Sequence, residues 1–176
     1  MVAVVKQGEL QLNETVIRVA NPEDVDEILT IYNEGISDRI ATLETTAKDQ
    51  VYMIEWLNKH TDRYKVIVAE FDGKVIGWAS LNQYNNREAY KGVADLSVYI
   101  KREYRGKGIG CKLITFIESV AKEYGFHKIV LFTFAFNELG QGLYRKKGYR
   151  EVGVFQNQGM LDGKFVDVIA MEKLIY

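Results

Sequence analysis

Apolar positions along the 176-residue chain alternate between a period of about two and one of about 3.6, and the switches mark the elements. Residues 15–20 read as a strand, and Asn21-Pro22-Glu23-Asp24 supplies an N-cap, a proline at the first helical position and acids in the first turn. Val25, Ile28, Leu29 and Tyr32 then fall on one helical face, and a second helix over about 48–59 places Val51, Ile54 and Leu57 together as its predicted inner face. Residues 65–71 and 74–84 form strands joined by Asp72-Gly73, a type I′ turn signal, so a hairpin is expected. In 94–100, Leu96, Val98 and Ile100 alternate with polar neighbours. Leu113, Ile114, Ile117, Val120 and Ala121 recur at helical spacing until Gly125 stops the helix. A buried-type strand over 128–134 and a short helix over about 139–147 follow. Two closing strands, about 149–158 and 165–173, flank Leu161-Asp162-Gly163-Lys164. Residues 1–14 read as an N-terminal arm or an extra strand, and 15–176 as a single domain with no linker-like stretch.

Between the 94–100 strand and its helix lies Arg105-Gly106-Lys107-Gly108-Ile109-Gly110. Three alternate glycines let the backbone curl so that its N–H groups converge, and the helix adds its positive end, which suits an anion. Residues 101–112 carry Lys101, Arg102, Arg105, Lys107 and Lys112 against Glu103, a local charge of +4 in a chain of net charge −1. A Walker A loop is excluded, because no Gly-x-x-x-x-Gly-Lys-Ser/Thr spacing occurs. The dinucleotide fingerprint also fails: the glycines follow Gly-x-Gly-x-Gly in mid-chain, with no first βαβ unit before them.

Composition narrows the partners. Hydrophobic content of 47% with 27% charged residues fits a globular domain, and the near-zero charge without a basic run gives no support to a nucleic-acid partner. The start Met-Val-Ala-Val-Val-Lys fits neither a signal peptide nor a membrane span, and the single Cys111 cannot form an internal disulfide, so a cytoplasmic protein away from the membrane is expected. His60 and His127 have no partner at metal-ligand spacing, and no metal is expected.

The hexapeptide Arg105 to Gly110, in its strand-loop-helix setting, resembles the coenzyme A pyrophosphate loop of the GNAT superfamily of N-acetyltransferases. From Thr15 onward the order of elements resembles that superfamily's whole domain. Residues 41–44 (Ala-Thr-Leu-Glu), 87–90 (Arg-Glu-Ala-Tyr), 97–100 (Ser-Val-Tyr-Ile) and Asp167-Val168 resemble the phosphinothricin acetyltransferase branch. That branch has Glu where Asp95 stands and His where Tyr144 stands. The resemblance implies an α/β (α+β) fold, a mixed sheet of about seven strands flanked by about four helices. It implies acetyl-CoA as co-substrate, a small-molecule primary amine as acceptor, and a homodimer. It further implies that Arg105, Gly106, Lys107, Gly108, Ile109 and Gly110 hold the pyrophosphate. The main chain of Ser97 to Ile100 would pair with the pantetheine arm, with one N–H near Leu96, Ser97 or Val98 on the thioester oxygen; Tyr99 falls within this stretch. Tyr144 would protonate the leaving thiolate, and Asn137 would bond a pantetheine amide or cap its helix.

A base must take the ammonium proton, and a carboxylate serves best when burial raises its pKa. Asp95, Glu44 and Glu88 are candidates, with Glu44 able instead to bind the acceptor's ammonium. Tyr84, Arg87 and Tyr90 are candidates for an acceptor pocket, since aromatic faces suit a cationic amine. Cys111 reads as a small packing residue, and Lys146, Lys147 and Arg150 as a solvated helix face or a contact to the ribose phosphate. Acetylation of a protein N-terminus or lysine, and a non-catalytic acetyl-CoA sensor, are the rival functions.

Overall fold

The first helix starts where Asn21 predicts, through a reciprocal cap. In the computed structural model, which describes residues 14–60 and 62–176, the Glu23 N–H donates to the Asn21 side chain (2.9 Å) and the Asn21 N–H donates to the Asp24 carboxylate (2.8 Å). This closes a short 3-10 turn ahead of helix α1 (Val25–Asp38). Asp24 is buried, and Arg18 of strand β1 (Val16–Val19) donates to both its oxygens at 2.7 and 2.8 Å. A buried carboxylate is tolerated when so paired, and the pair fastens the first strand to the first helix.

Helix α2 (Gln50–Lys59) is also present, capped by Asp49, which accepts from the Tyr52 N–H at 2.8 Å. Its inner face is a correction to the periodicity reading. Met53 is 1% exposed and Trp56 and Leu57 pack beside it, whereas Val51 and Ile54 are 65% and 43% exposed. Leu57 belongs to both stripes, and the stripe of Met53 and Trp56 wins because their larger side chains fill the space against Val66, Val68 and Trp78.

Seven strands form one mixed sheet in the order β1-β2-β3-β4-β5-β7-β6, built from β2 (Val66–Phe71), β3 (Lys74–Gln83), β4 (Val93–Ile100), β5 (Lys128–Phe134), β6 (Arg150–Leu161) and β7 (Lys164–Leu174). Asp72-Gly73 turns β2 into β3 with φ of 51° and 68°, as the hairpin signal predicts. Strands β6 and β7 run longer than expected, because Leu161 and Lys164 pair with each other. Only Asp162-Gly163, with φ of 48° and 78°, is left to make the turn. Helices α3 (Ile109–Glu123) and α4 (Glu138–Lys146) cover one face, with Leu113, Ile114 and Ile117 on Ile67, Ile76 and Leu81. Helices α1 and α2 cover the other. The arm or strand expected for residues 1–14 lies, Glu14 aside, outside the described residues. Among the described residues no helix is long and apolar enough to cross a membrane.

Every neighbouring pair is antiparallel except β4 and β5, which are parallel and paired only from Val93 to Asp95 against Lys128 to Val130. Beyond that point β3 stays with β4 to Ile100 and β7 stays with β5 to Phe134, so the sheet opens into two arms. The corrected face of α2 has a direct check in urea unfolding. Met53→Ala should cost about 2–4 kcal/mol, as large-to-small core changes do, and Val51→Ala less than about 0.5 kcal/mol.

Candidate active site

Strand parity decides what the gap between β4 and β5 offers. The Lys101 N–H donates to the Ile76 carbonyl at 3.0 Å, continuing the β3–β4 ladder, so the main-chain groups of Leu96, Val98 and Ile100 point away from β3 and into the gap. The Ile100 carbonyl accepts from Arg105 Nε at 3.0 Å, while Leu96 and Val98 lie beyond the last pair with β5. Side chains alternate between faces: Leu96, Val98 and Ile100 pack towards α3, and Asp95, Ser97 and Tyr99 share the face below α1 and α2.

A cavity of about 390 Å³ runs from the glycine loop along this gap to Tyr144. Gly106 and Gly108 have φ of 73° and 84°, and a Cβ at either would meet nothing within 4 Å, so the loop presents bare backbone to open space. Gly108 caps α3 without a side-chain bond, which leaves the first amides of the helix for an anion. Gly110 corrects the three-glycine reading. It is helical, and a Cβ there would lie 2.6 Å from Leu143 Cδ2, so it lets α4 pack close and takes no part in the curl.

The local charge of +4 needs a second correction. Asp38 of α1 accepts from Arg105 (2.5 Å) and from Arg102 (2.7 Å), and Glu34 accepts from the Arg102 N–H (2.7 Å). These two acids reduce +4 to +2 at the loop, and Lys101 is paired with Glu103 at 3.0 Å. Arg102 first, with Arg105 beside it, holds the Asp38 carboxyl below its ordinary range against the opposing effect of burial. Arg105 is therefore a clamp between loop, strand and α1, and the cradle is made of amides. Lys107 lies over the Tyr104 ring at 5.5 Å. A bare-backbone cradle at one end of an elongated cavity fits the pyrophosphate of a coenzyme A.

Around the cavity's far end, Asn137 caps α4, accepting from the Gly140 N–H (3.0 Å) and donating to Thr133 Oγ1 (3.3 Å). Half-buried Cys111 and exposed Lys146 also line the cavity, whereas Lys147 donates to Thr115 and Arg150 pairs with Glu172. Tyr144 is buried in α4, and burial, followed by the Asp95 charge, pushes its phenol up to about 12. Asp95 borders two further cavities of about 190 and 210 Å³ on the opposite face of β4. Burial pushes its carboxyl up to about 7, partly opposed by the Leu96 N–H. Asn82, opposite Asp95 in register, donates to the Asp95 carbonyl (3.2 Å) and Ser97 Oγ (3.1 Å), and meets His60 Nε2 through its Oδ1 at 2.9 Å.

The structure thus brings together Asp95, Tyr144, Asn137, the 96–100 strand and the glycine loop. It does not bring in the rest. Glu44 is held by Lys48 at 2.6 Å and lines none of these cavities; Glu88 pairs with Lys91 at 3.1 Å. Tyr84 and Tyr90 meet edge to face at 5.6 Å, and with Arg87 they stay exposed and outside the linings. Sequence reading missed Asp38, Thr133 and the side chain of Tyr99, which lines all three cavities. The period-two set Asp95, Ser97 and Tyr99 was the available signal for the last. No group of three or more His, Cys, Asp or Glu suited to a metal occurs among the described residues.

A carboxyl near 7 in the folded state and about 3.9 in the unfolded chain binds its proton more tightly when folded. Its contribution to stability is therefore lost as pH rises from about 4 to about 7. Asp95→Asn removes that titration: the variant should match the parent near pH 4 and exceed it by roughly 2–4 kcal/mol at pH 8, as read by urea unfolding at each pH.

The sequence pattern of the acetyltransferase (GNAT) family matches residues 26–149. The YwnH protein of Bacillus subtilis is 32% identical over 153 residues, covering 86% of this chain and 94% of the relative. The L-methionine sulfoximine/L-methionine sulfone acetyltransferase of Pseudomonas aeruginosa is 29% identical over 158 residues, covering 89% and 92%. Among solved structures, a GNAT superfamily phosphinothricin acetyltransferase from Sinorhizobium meliloti in complex with AcCoA superposes with a TM-score of 0.87 at 28% identity, covering 92% of this chain and 88% of that one. With its seven-stranded mixed sheet, four helices and glycine-loop cavity, this chain belongs to the GNAT family of acetyltransferases and is an acetyl-CoA-dependent N-acyltransferase.

Proposed function

We propose that the chain transfers the acetyl group of acetyl-CoA directly to the primary amine of a small, amino-acid-like molecule, with Asp95 as base and Tyr144 as acid. One observation carries the reading: buried Tyr144, with a phenol near 12, feels the charge of Asp95, whose own carboxyl burial holds near 7. A base near neutrality and an acid that stays protonated are the two groups that amide formation from a thioester requires.

Acetyl-CoA supplies an acetyl group activated as a thioester; the other tasks fall to the chain. Main-chain N–H groups of the loop from Gly106 to Gly110 and of the first turn of α3 hold the pyrophosphate. The free edge of Leu96 to Ile100 aligns the pantetheine arm, Asn137 bonds its amide, and the Val98 N–H, free of the Asp95 carboxylate that engages the Leu96 N–H, takes the thioester oxygen as negative charge builds there. The acceptor's ammonium gives one proton to Asp95, directly or through a water. The freed amine attacks the carbonyl carbon, so that a C–N bond forms and the C–S bond breaks. Tyr144 gives its proton to the departing thiolate, and the second proton lost by the nitrogen restores the phenol. Glu44, paired with Lys48 and outside the cavity linings, takes no part in this scheme, nor do Tyr84, Arg87 and Tyr90.

The activities named for the Pseudomonas aeruginosa and Sinorhizobium meliloti relatives support a small amino-acid-like acceptor. The homodimer and the cytoplasmic setting belong to the same proposal; exposed Phe132 and Phe155, rings 6.3 Å apart, offer the partner copy an apolar contact.

Thiol release from acetyl-CoA with a panel of phosphinothricin-like amino acids, methionine sulfone, methionine sulfoximine, polyamines and peptides tests the reading. Small amines should accelerate release, and kcat at saturating amine should rise with pH up to about 7 and then level off. Tyr144→Phe should lower kcat by about 10²-fold and Asp95→Asn by about 10²–10⁴-fold. Release driven by peptides alone would overturn the small-molecule reading, and release by no amine would leave a coenzyme sensor.

A further inference from the structure

Behind Asp95, between β3 and β4 on one side and α1 and α2 on the other, lies the cavity of about 190 Å³, the room of roughly six waters at about 30 Å³ each. Five of its lining residues are aromatic: Tyr32, Tyr52, Trp56, Trp78 and Tyr99. Tyr32 meets Trp78 and Tyr99 edge to face at 6.0 and 5.1 Å, Trp56 meets Trp78 the same way at 5.3 Å, and Trp78 lies flat on Tyr99 at 4.7 Å. Apart from the stacked Trp78–Tyr99 pair these rings meet at steep angles, so the space is bordered by aromatic rings of several orientations.

The charged member of the wall is the Asp95 carboxylate, and among the described residues no Lys or Arg lines the cavity. The basic side chains nearby are engaged elsewhere. Lys48 lies over the Tyr52 ring at 5.1 Å and is paired with Glu44, while His60 stacks on Trp56 at 4.1 Å with its ring nitrogens at the Trp56 carbonyl and Asn82 Oδ1. A wall of π faces and one carboxylate repels anions, gains little from a neutral group and attracts a cation. Asp95, Ser97 and Tyr99 also line the 210 Å³ cavity that reaches Leu96 and Thr133 at the gap, so a molecule reacting there extends into the aromatic space past Asp95.

We propose that this aromatic cavity is a subsite for a second, non-reacting cationic group of the acceptor. The preferred acceptors are then primary amines with an ammonium or alkylammonium at their other end: diamines, or amino acids with cationic side chains. The assignment rests on the placement of the reacting amine beside Asp95. A cation held by the rings, and by Asp95 until that carboxylate takes the proton of the reacting amine, anchors the acceptor by the end that does not react and leaves its nucleophilic nitrogen at the gap.

Trp56 and Trp78 are the chain's two tryptophans and both line the cavity, so their fluorescence reports on it. Choline and its uncharged isostere 3,3-dimethylbutan-1-ol are titrated into the full chain without acetyl-CoA, followed by emission. Choline should change the emission saturably and bind about tenfold more tightly than the alcohol, and Trp56→Leu should weaken choline about tenfold with Trp78 left as reporter. In thiol release, 1,4-diaminobutane should exceed 1-aminobutane in kcat/KM by about tenfold. Equal binding of choline and the alcohol, or no response to either, overturns the subsite even if monoamines are acetylated. Choline binding without thiol release from any amine supports the cation site and overturns the transfer reading instead.

Discussion

Strands β4 and β5 hold each other for three residue pairs and then part, and the chemistry available to this fold follows from that break. Each strand keeps a continuous antiparallel partner on its outer side, β3 for β4 and β7 for β5, so neither needs the other beyond Asp95 and Val130. Side chains finish the ends: Arg105 Nε donates to the Ile100 carbonyl, and Gln141 Nε2 donates to the carbonyls of Phe134 and Ala135. What remains between the arms is a stretch of strand edge at Leu96 and Val98 whose main-chain groups call for a partner. A linear, amide-bearing arm is the natural complement of a strand edge, which is why the coenzyme reading and the fold reinforce each other.

The two ends of this gap are electrostatically different, and neither uses the obvious charges. At the proposed donor end Arg102 and Arg105 are committed to Asp38, so what the loop offers an anion is the amides at Gly106 to Gly110 and the start of α3. Fixed amide dipoles need no reorganisation when a polyphosphate arrives, whereas long side chains would have to be ordered. The ion pairs contribute position: they tie the loop to the end of α1, from which the chain runs directly into Ala41 to Leu43 at the acceptor cavity. Donor and acceptor sites thus share one piece of chain.

At the proposed acceptor end the Asp95 carboxylate is kept half-buried with no cationic partner among the described residues, at a cost in stability that an asparagine would avoid. Asp95 is held by its strand: Asn82 secures its carbonyl, the Leu96 N–H faces its carboxylate, and β3 fixes the register. Stability given up at one residue so that a proton acceptor works near neutral pH is the usual compromise at catalytic sites.

Local chemistry made most of the fold legible. The Asn21 cap, the Asp72-Gly73 turn, the alternation in β4 and the glycine loop all act through the dihedral angles and hydrogen bonds of residues close in sequence, so the chain itself determined the order of elements and the bare backbone of the glycine loop. Where two readings competed within one element, only packing could choose: Met53 and Trp56 displaced Val51 and Ile54 because they meet Val66 and Trp78 across the helix–sheet interface. The tertiary structure alone decided that Asp38 neutralises Arg105 from 67 residues away, that Gly110 serves Leu143, that Tyr144 feels the charge of Asp95, and that the cavity beside Asp95 is lined by Tyr99 and Thr133 and not by Tyr84 and Tyr90. Each of those outcomes depends on a contact between residues far apart in the chain, whose free energy comes from shape and burial and leaves no mark on local periodicity or spacing.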